Sequence, residues 1–124
     1  MKKFNEVKRL PEFEKDFKKS LKKFQSLEED LKTFIDKQLD LYHKLKIDNG
    51  GILEITGLGI ENPKIYKARK FTCRSLKGRG VQSGIRVVYA YFSDDDRIEL
   101  IEIYFKADQE NEDKERIKEY YKKI

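Results

Sequence analysis

The spacing of apolar residues changes once along the chain, from a helical period to the alternation of strands, and this change constrains the fold most. Between residues 11 and 45 apolar side chains recur every three or four positions, in two stripes separated by a break at Gln25-Ser26. Three segments rich in β-branched and aromatic residues follow. The two periods place side chains on different faces, so one segment cannot satisfy both. The chain is predicted to be α+β, with a helical hairpin packed on a small antiparallel sheet and a C-terminal helix.

The hairpin is predicted from two amphipathic stripes. The first helix begins at Pro11, a suitable first-turn residue. Its apolar face is Phe13, Phe17, Leu21 and Phe24. The second helix begins at a capping box, Ser26-Leu27-Glu28-Glu29, and ends at residues 48–51 (Asp-Asn-Gly-Gly), which tolerate positive φ. Its apolar face is Leu27, Leu31, Phe34, Ile35, Leu39, Tyr42 and Leu45. Over residues 4–10, ahead of the hairpin, apolar and polar residues alternate loosely, which predicts a strand or an irregular lead-in to the first helix.

Three strands are predicted at residues 65–74, 84–92 and 97–106, after an irregular connection. The second is apolar on both faces except at Arg86, as a central strand would be. The three aspartates at 94–96 form a polar hairpin turn, because consecutive residues in a turn do not converge on one metal ion. After cap residues at 108–111, a helix closes the chain. Its apolar residues are Ile117, Tyr120, Tyr121 and Ile124.

Length and composition exclude several classes of protein. At 124 residues the chain is expected to form one domain, residues 1–124. The single Cys73 can make neither an internal disulfide nor a zinc site. No apolar run has the length of a signal peptide or a membrane span, so a cytoplasmic protein without membrane contact is expected. The glycine-containing loop at 75–83 matches no nucleotide-binding motif, and no cofactor is expected. The lone His43 is interpreted as structural.

Positive charge is concentrated in one segment. The net charge is +5, but residues 63–93 carry eight basic residues and neither Asp nor Glu. The eight are Lys64, Lys67, Arg69, Lys70, Arg74, Lys77, Arg79 and Arg86. Like charges crowded on a sheet repel one another, which indicates an anionic partner such as phosphate.

Strand alternation predicts how some of these charges meet. Lys67 and Arg69 share one face of their strand, and an antiparallel neighbour would bring Arg86 beside them. On the third strand Ile101, Ile103 and Phe105 would face the helices. Tyr104 and Lys106 would then lie on an open face with the three cations. RNA supplies its own nucleophile, the 2′-hydroxyl, so such a face could support cleavage without a metal.

The ordered set Ile65-Tyr66-Lys67-Ala68-Arg69, Ser83-Gly84-Ile85-Arg86-Val87-Val88-Tyr89 and Ile101-Glu102-Ile103-Tyr104-Phe105-Lys106 resembles toxins of the RelE/ParE superfamily. The Lys-Gly-Arg-Gly loop ahead of Ser-Gly-Ile-Arg is most similar to the HigB branch. The resemblance covers about residues 13–106. It implies a RelE-like toxin of a type II toxin-antitoxin system, an mRNA interferase that cleaves mRNA on the ribosome and is neutralised by a cognate antitoxin.

The resemblance also implies site residues. Lys67, Arg69 and Arg86 fall on basic positions of the family's active face, and Lys106 falls near a basic pair after the last strand. Ala107 replaces the second residue of that pair, and no tyrosine occurs at 108–114. Tyr104 is the substitute by position. The further basic residues Lys64, Lys70, Arg74, Lys77 and Arg79 are expected to contact the RNA backbone.

Two alternatives stay open. A ParE-like gyrase inhibitor generally lacks the full basic set that Lys67, Arg69 and Arg86 provide here. A non-catalytic module could bind RNA or the ribosome through the same basic face without cleaving.

Overall fold

A computed structural model describes residues 4–122, as ten elements. In chain order they are β1 (Glu6–Arg9), α1 (Pro11–Leu21), α2 (Leu27–Thr33), a π-helical turn (Phe34–Leu39), α3 (Asp40–His43), β2 (Ile52–Glu54), β3 (Lys64–Ala68), β4 (Ile85–Phe92), β5 (Arg97–Phe105) and α4 (Lys114–Tyr121). The predicted α+β class is confirmed, with a helical hairpin ahead of the main strands and a helix after them. None of the helices within residues 4–122 is long and apolar enough to cross a membrane.

The strands form one sheet in the order β1-β5-β4-β3-β2. The pairs β2·β3, β3·β4 and β4·β5 are antiparallel, and β1 runs parallel to β5. The central position predicted for residues 84–92 is confirmed, because β4 lies in the middle of the sheet. The short edge strand β2 occupies part of the segment that was predicted to be an irregular connection.

The sheet has two covered faces. The hairpin face packs against α1, α2 and the π-helical turn. Its largest buried side chains include Phe13, Leu31, Phe71, Tyr89 and Leu100. The other face, here called the α4 face, packs against α4 and the connection before β3. Its buried residues include Leu58, Ile65, Val88, Ile101 and Ile117.

A β-bulge in β5 decides which residues lie on each face. Val88 pairs with Glu102, but the next residue, Tyr89, pairs with Leu100, so Ile101 is the extra residue of β5. Ile101 and Glu102 consequently both lie on the α4 face. The prediction that Ile101 faces the hairpin was therefore wrong, while Ile103 and Phe105 do pack there.

The hairpin departs from the predicted caps and ends. Ser26 does not cap α2, because its hydroxyl donates to the Asp30 carboxylate at 2.6 Å and accepts from the Ser75 N–H at 2.8 Å. The second helix ends at His43, and Lys46 rather than residues 48–51 first takes positive φ, at 59°. Leu45 is consequently outside the helix and 58% exposed.

Two further boundaries differ from prediction. β3 stops at Ala68, so residues 69–74 form a loop and not the second half of a strand. The cap of α4 is Asp113, whose carboxylate accepts from the Arg116 N–H at 3.1 Å, and not a residue of 108–111. Ile117 is fully buried on the α4 face as its spacing predicts, and Ile124 lies outside the described residues.

Candidate functional site

The register of β3 and β4 places three cations on the α4 face. Lys67 of β3 pairs with Val88 of β4, and Arg86 lies two residues from Val88 on the same face. The Arg69 N–H donates to the Gly51 carbonyl at 2.7 Å, which extends the β2·β3 ladder by one residue and preserves the alternation. Arg86 Nη1 donates to the Arg69 carbonyl at 3.2 Å. Lys67, Arg69 and Arg86 are called the cationic cluster below.

Tyr104 lies directly opposite Arg86 on β5, where sequence alternation placed it. The face is not open, however, because the segment after β5 covers it and leaves Tyr104 only 6% exposed. Burial and the nearby Glu112 and Glu102 carboxylates raise the pKa of Tyr104 to about 12, although Arg86 lowers it. The phenol therefore keeps its proton at neutral pH and can donate it but not accept one.

A carboxylate that sequence analysis did not predict, that of Glu112, lies against the cationic cluster. Glu112 Oε1 is 2.7 Å from Lys67 Nζ, and the two side chains are 8% and 18% exposed. Burial raises the pKa of Glu112, but the hydrogen bond and charge of Lys67 outweigh it and the pKa is lowered overall. Glu112 is therefore ionised at neutral pH and neutralises one of the three cations.

Glu112 is held in place by the residues around it. Glu102 on β5 accepts the Asp113 N–H at 2.9 Å and the Gln109 Nε2–H at 2.7 Å. Asp113 in turn caps α4, so the backbone on the C-terminal side of Glu112 is fixed to both a strand and a helix. The carboxylate is consequently a built part of this face and not the end of a free loop.

The remaining basic residues predicted to act at the site divide into two sets. Lys106 follows β5 directly, is exposed, and donates its N–H to the Gly84 carbonyl at 2.8 Å, next to the start of β4. Lys70 donates to the Asn49 carbonyl at 2.8 Å, close in sequence to the cluster. Lys77 and Arg79 are exposed in the 75–83 loop. Lys70 and Lys106 directly follow the ends of strand segments that carry the site, and Lys77 and Arg79 lie in the loop that leads into β4.

Lys64 and Arg74 lie elsewhere. Lys64 begins β3 and, three residues from Lys67, points to the opposite face. There it lines an opening of about 510 Å³ with Tyr42, His43, Tyr66 and Tyr91. Arg74 Nε is 3.1 Å from Oδ1 of Asp30 on α2, and the Asp30 side chain is 3% exposed. The charge of Arg74 is therefore paired with a buried carboxylate of the helical hairpin. Neither residue shares the α4 face with the cluster.

The base of the 75–83 loop is fixed although its tip is exposed. The buried Ser83 hydroxyl donates to the Phe71 carbonyl at 2.5 Å and accepts the Ile85 N–H at 3.1 Å. Phe71 also donates its N–H to the Val81 carbonyl at 3.3 Å. Lys77 and Arg79 are thus presented on a loop whose Ser75 end is bonded to Ser26 ahead of α2 and whose Ser83 end is anchored beside the start of β4.

Together these groups have the charge and the hydrogen-bond donors needed to hold an anion. Two guanidinium groups and an ammonium can bind phosphate oxygens and neutralise charge that develops on them, and a protonated phenol and an ionised carboxylate lie beside them. Glu112 competes for Lys67 with any anion that binds. An anion must therefore displace or rearrange this pair to use all three cations.

Comparisons with known proteins give one likeness. No family model matches the sequence, and no curated protein matches it. A solved structure, the crystal structure of the archaeal RelE-RelB complex from Pyrococcus horikoshii OT3, is similar over 82% of this chain and 93% of that chain. The identity is 17% and the TM-score is 0.45.

Proposed function

We propose that this chain is a toxin of a type II toxin-antitoxin system, a metal-independent endoribonuclease that cleaves mRNA on the ribosome and so inhibits translation. The observation that carries the proposal is the cationic cluster with Tyr104 opposite Arg86 on one sheet face. At the position of Arg86 in this central strand, an apolar residue would pack better than an arginine. Its presence favours a chemical role.

The cluster suits RNA cleavage by transesterification. The 2′-hydroxyl of RNA supplies the nucleophile, so the protein must orient the phosphate, stabilise the added negative charge and manage two protons. Arg86 and Arg69 would contact the phosphate oxygens, and Lys67 would join them once it leaves Glu112. Lys106, Lys70, Lys77 and Arg79 would contact the flanking RNA backbone, which supplies affinity without sequence preference.

The proposed partners follow from the same charge distribution. One partner is mRNA on the ribosome, and the other is a cognate antitoxin that presents acidic groups to the cluster. On this proposal residues 1–124 act as one RelE-like toxin domain in the cytoplasm, with no cofactor and no membrane partner.

Mapping mRNA 5′ ends in cells that express the chain tests the proposal. Expression of the wild type should produce new ends phased with codons, whereas Arg86→Ala should produce none. Lys32→Ala is the matched control, because Lys32 is exposed on α2, away from the α4 face. No new ends but stable association with ribosomes would instead indicate a non-catalytic binding module. DNA damage without mRNA cleavage would indicate a gyrase inhibitor.

A further inference from the structure

The proposed reaction needs a group that removes the proton from the RNA 2′-hydroxyl, and the predicted site residues do not provide one. Arg69 and Arg86 hold permanent positive charge, and a lysine ammonium, such as that of Lys67 or Lys106, is a donor with no acceptor. Lys67 donates to Glu112 at 2.7 Å. A tyrosine keeps its proton at neutral pH, and burial, which raises the pKa of Tyr104 to about 12, makes its ionised form rarer still. A proton acceptor must therefore come from another part of the face.

Among residues 4–122, the carboxylates of Glu102 and Glu112 lie close enough to Tyr104 to raise its pKa, and one of these two has surroundings that suit a general base. Both oxygens of Glu102 accept hydrogen bonds, from Asp113 N–H at 2.9 Å and from Gln109 Nε2 at 2.7 Å. Glu102 therefore holds the segment after β5 in place. Glu112 instead points at the cluster itself, with Oε1 2.7 Å from Lys67 Nζ.

We propose that Glu112 is the general base of this ribonuclease, an inference that rests on the proposed function. Glu112 accepts the 2′-hydroxyl proton as the 2′ oxygen forms a bond to the adjacent phosphorus. The bond between phosphorus and the 5′ oxygen breaks, its electron pair stays on that oxygen, and the Tyr104 hydroxyl supplies the proton. The products are a 2′,3′-cyclic phosphate and a 5′-hydroxyl, and solvent returns the proton from Glu112 to Tyr104.

The pair with Lys67 explains how the base is kept ready. In the free protein Lys67 stabilises the ionised carboxylate and lowers its pKa. When a phosphate binds and takes the Lys67 ammonium, Glu112 loses that hydrogen bond while burial still acts on it, so its pKa rises. A carboxylate with a raised pKa is a stronger base, so binding of the substrate would itself make Glu112 a stronger base.

Glu112→Gln tests this role, because glutamine keeps the shape of the side chain but accepts no proton. Glu110→Gln is the matched control, since Glu110 is exposed in the same segment. The cleavage rate of ribosome-bound mRNA is expected to fall by about 10²- to 10⁴-fold in Glu112→Gln and to be unchanged in Glu110→Gln. Glu112→Asp keeps a carboxylate and is expected to recover part of the rate and the acid limb of the pH–rate profile, which Glu112→Gln should lose.

Measurements of mRNA binding distinguish a Glu112 that acts as general base from a Glu112 that only holds the structure. An mRNA with a 2′-deoxy nucleotide at the cleavage site cannot react, and its affinity is expected to be equal or higher for Glu112→Gln, because a negative charge next to Lys67 is removed. Loss of both binding and cleavage in folded Glu112→Gln and Glu112→Asp would show a structural role and overturn the proposal. Cleavage by Glu112→Gln at or above the wild-type rate would show that Glu112 only inhibits, while the ribonuclease assignment would stand. A wild type that cleaves no more than Arg86→Ala would overturn the ribonuclease assignment, and the base with it.

Discussion

The stability of this protein should fall between pH 7 and pH 5 because of one histidine. His43 is the only histidine in the chain, and it is 6% exposed. Its Nε2 lies 2.7 Å from the Tyr89 hydroxyl oxygen, and its ring lies against those of Tyr66 and Tyr91. Burial, together with the charges of Lys46 and Lys44, lowers the pKa of His43 to about 4.

The direction and size of the effect follow from proton linkage. Above about pH 6.5 the ring is neutral in both the folded and the unfolded chain, and pH has no effect through it. Below that pH the unfolded chain takes up a proton that the folded protein does not, so the free energy of unfolding falls until the pH reaches about 4. For these two pKa values the loss between pH 7 and pH 5 is about 2 kcal/mol. This is an upper figure, because His43 lines an opening to solvent that screens part of the charge.

Urea unfolding at pH 7, 6 and 5 measures the loss. The comparison is His43→Gln, which does not titrate and can still bond the Tyr89 hydroxyl, so the difference between the two curves isolates the histidine from the carboxylates. We expect the wild type to lose up to about 2 kcal/mol more than the variant over this range. Parallel curves for the two proteins would refute the reasoning, because they would mean that His43 titrates alike in the folded and unfolded states.

Four further outcomes are expected. Arg86→Ala should abolish growth inhibition with little change in melting temperature, because Arg86 is half-buried and its hydrogen bond is to a backbone carbonyl, that of Arg69; full toxicity of a well-expressed variant would contradict this. Asp30→Ala should lower the free energy of unfolding by about 1–3 kcal/mol in urea titrations, since it removes the acceptor of Ser26 and Arg74, whereas exposed Asp36→Ala should not. Cleavage of mRNA on intact ribosomes should persist in excess chelator, given that residues 4–122 contain no group of three or more potential metal ligands; loss of cleavage would refute the metal-free mechanism. Rising salt should slow association with the antitoxin more than dissociation in stopped-flow experiments, and an association rate indifferent to salt would mean that the partner does not contact the basic face.

The cationic cluster could be predicted from sequence because strand alternation is a local rule. Lys67, Arg69, Arg86 and Tyr104 all belong to strands, or extend them by one residue, and the rule places them on one face once the strands pair. It failed at Ile101 because a bulge adds a residue to β5. Strand alternation also could not show that the α4 face is covered. The segment that covers it, after β5, is a loop, and its residues follow no periodic pattern.

The residues missed by sequence analysis act through contacts distant in sequence. Glu112 reaches Lys67 across 45 positions, and Ser26 bonds Ser75 across 49 positions. The Ser26 motif satisfied the spacing of a capping box, but Asp30 and the loop after β3 offered it other partners. A clue to Glu112 was present, because residues 63–93 are basic and the segment that follows β5 is acidic. Such complementary charge could have indicated that the two segments meet.

The bulge in β5 has a consequence for aligning this chain with its relatives. It places Glu102 where it can accept the Asp113 N–H, and so seats the segment that carries Glu112. A relative without the extra residue would show a one-residue gap between the positions of Leu100 and Ile103, and its last strand would alternate regularly. In such a relative the carboxylate equivalent to Glu102 would lose this anchoring role, and the segment after the strand would need another attachment. The gap and the identity of the residue at position 112 should therefore vary together among homologous sequences.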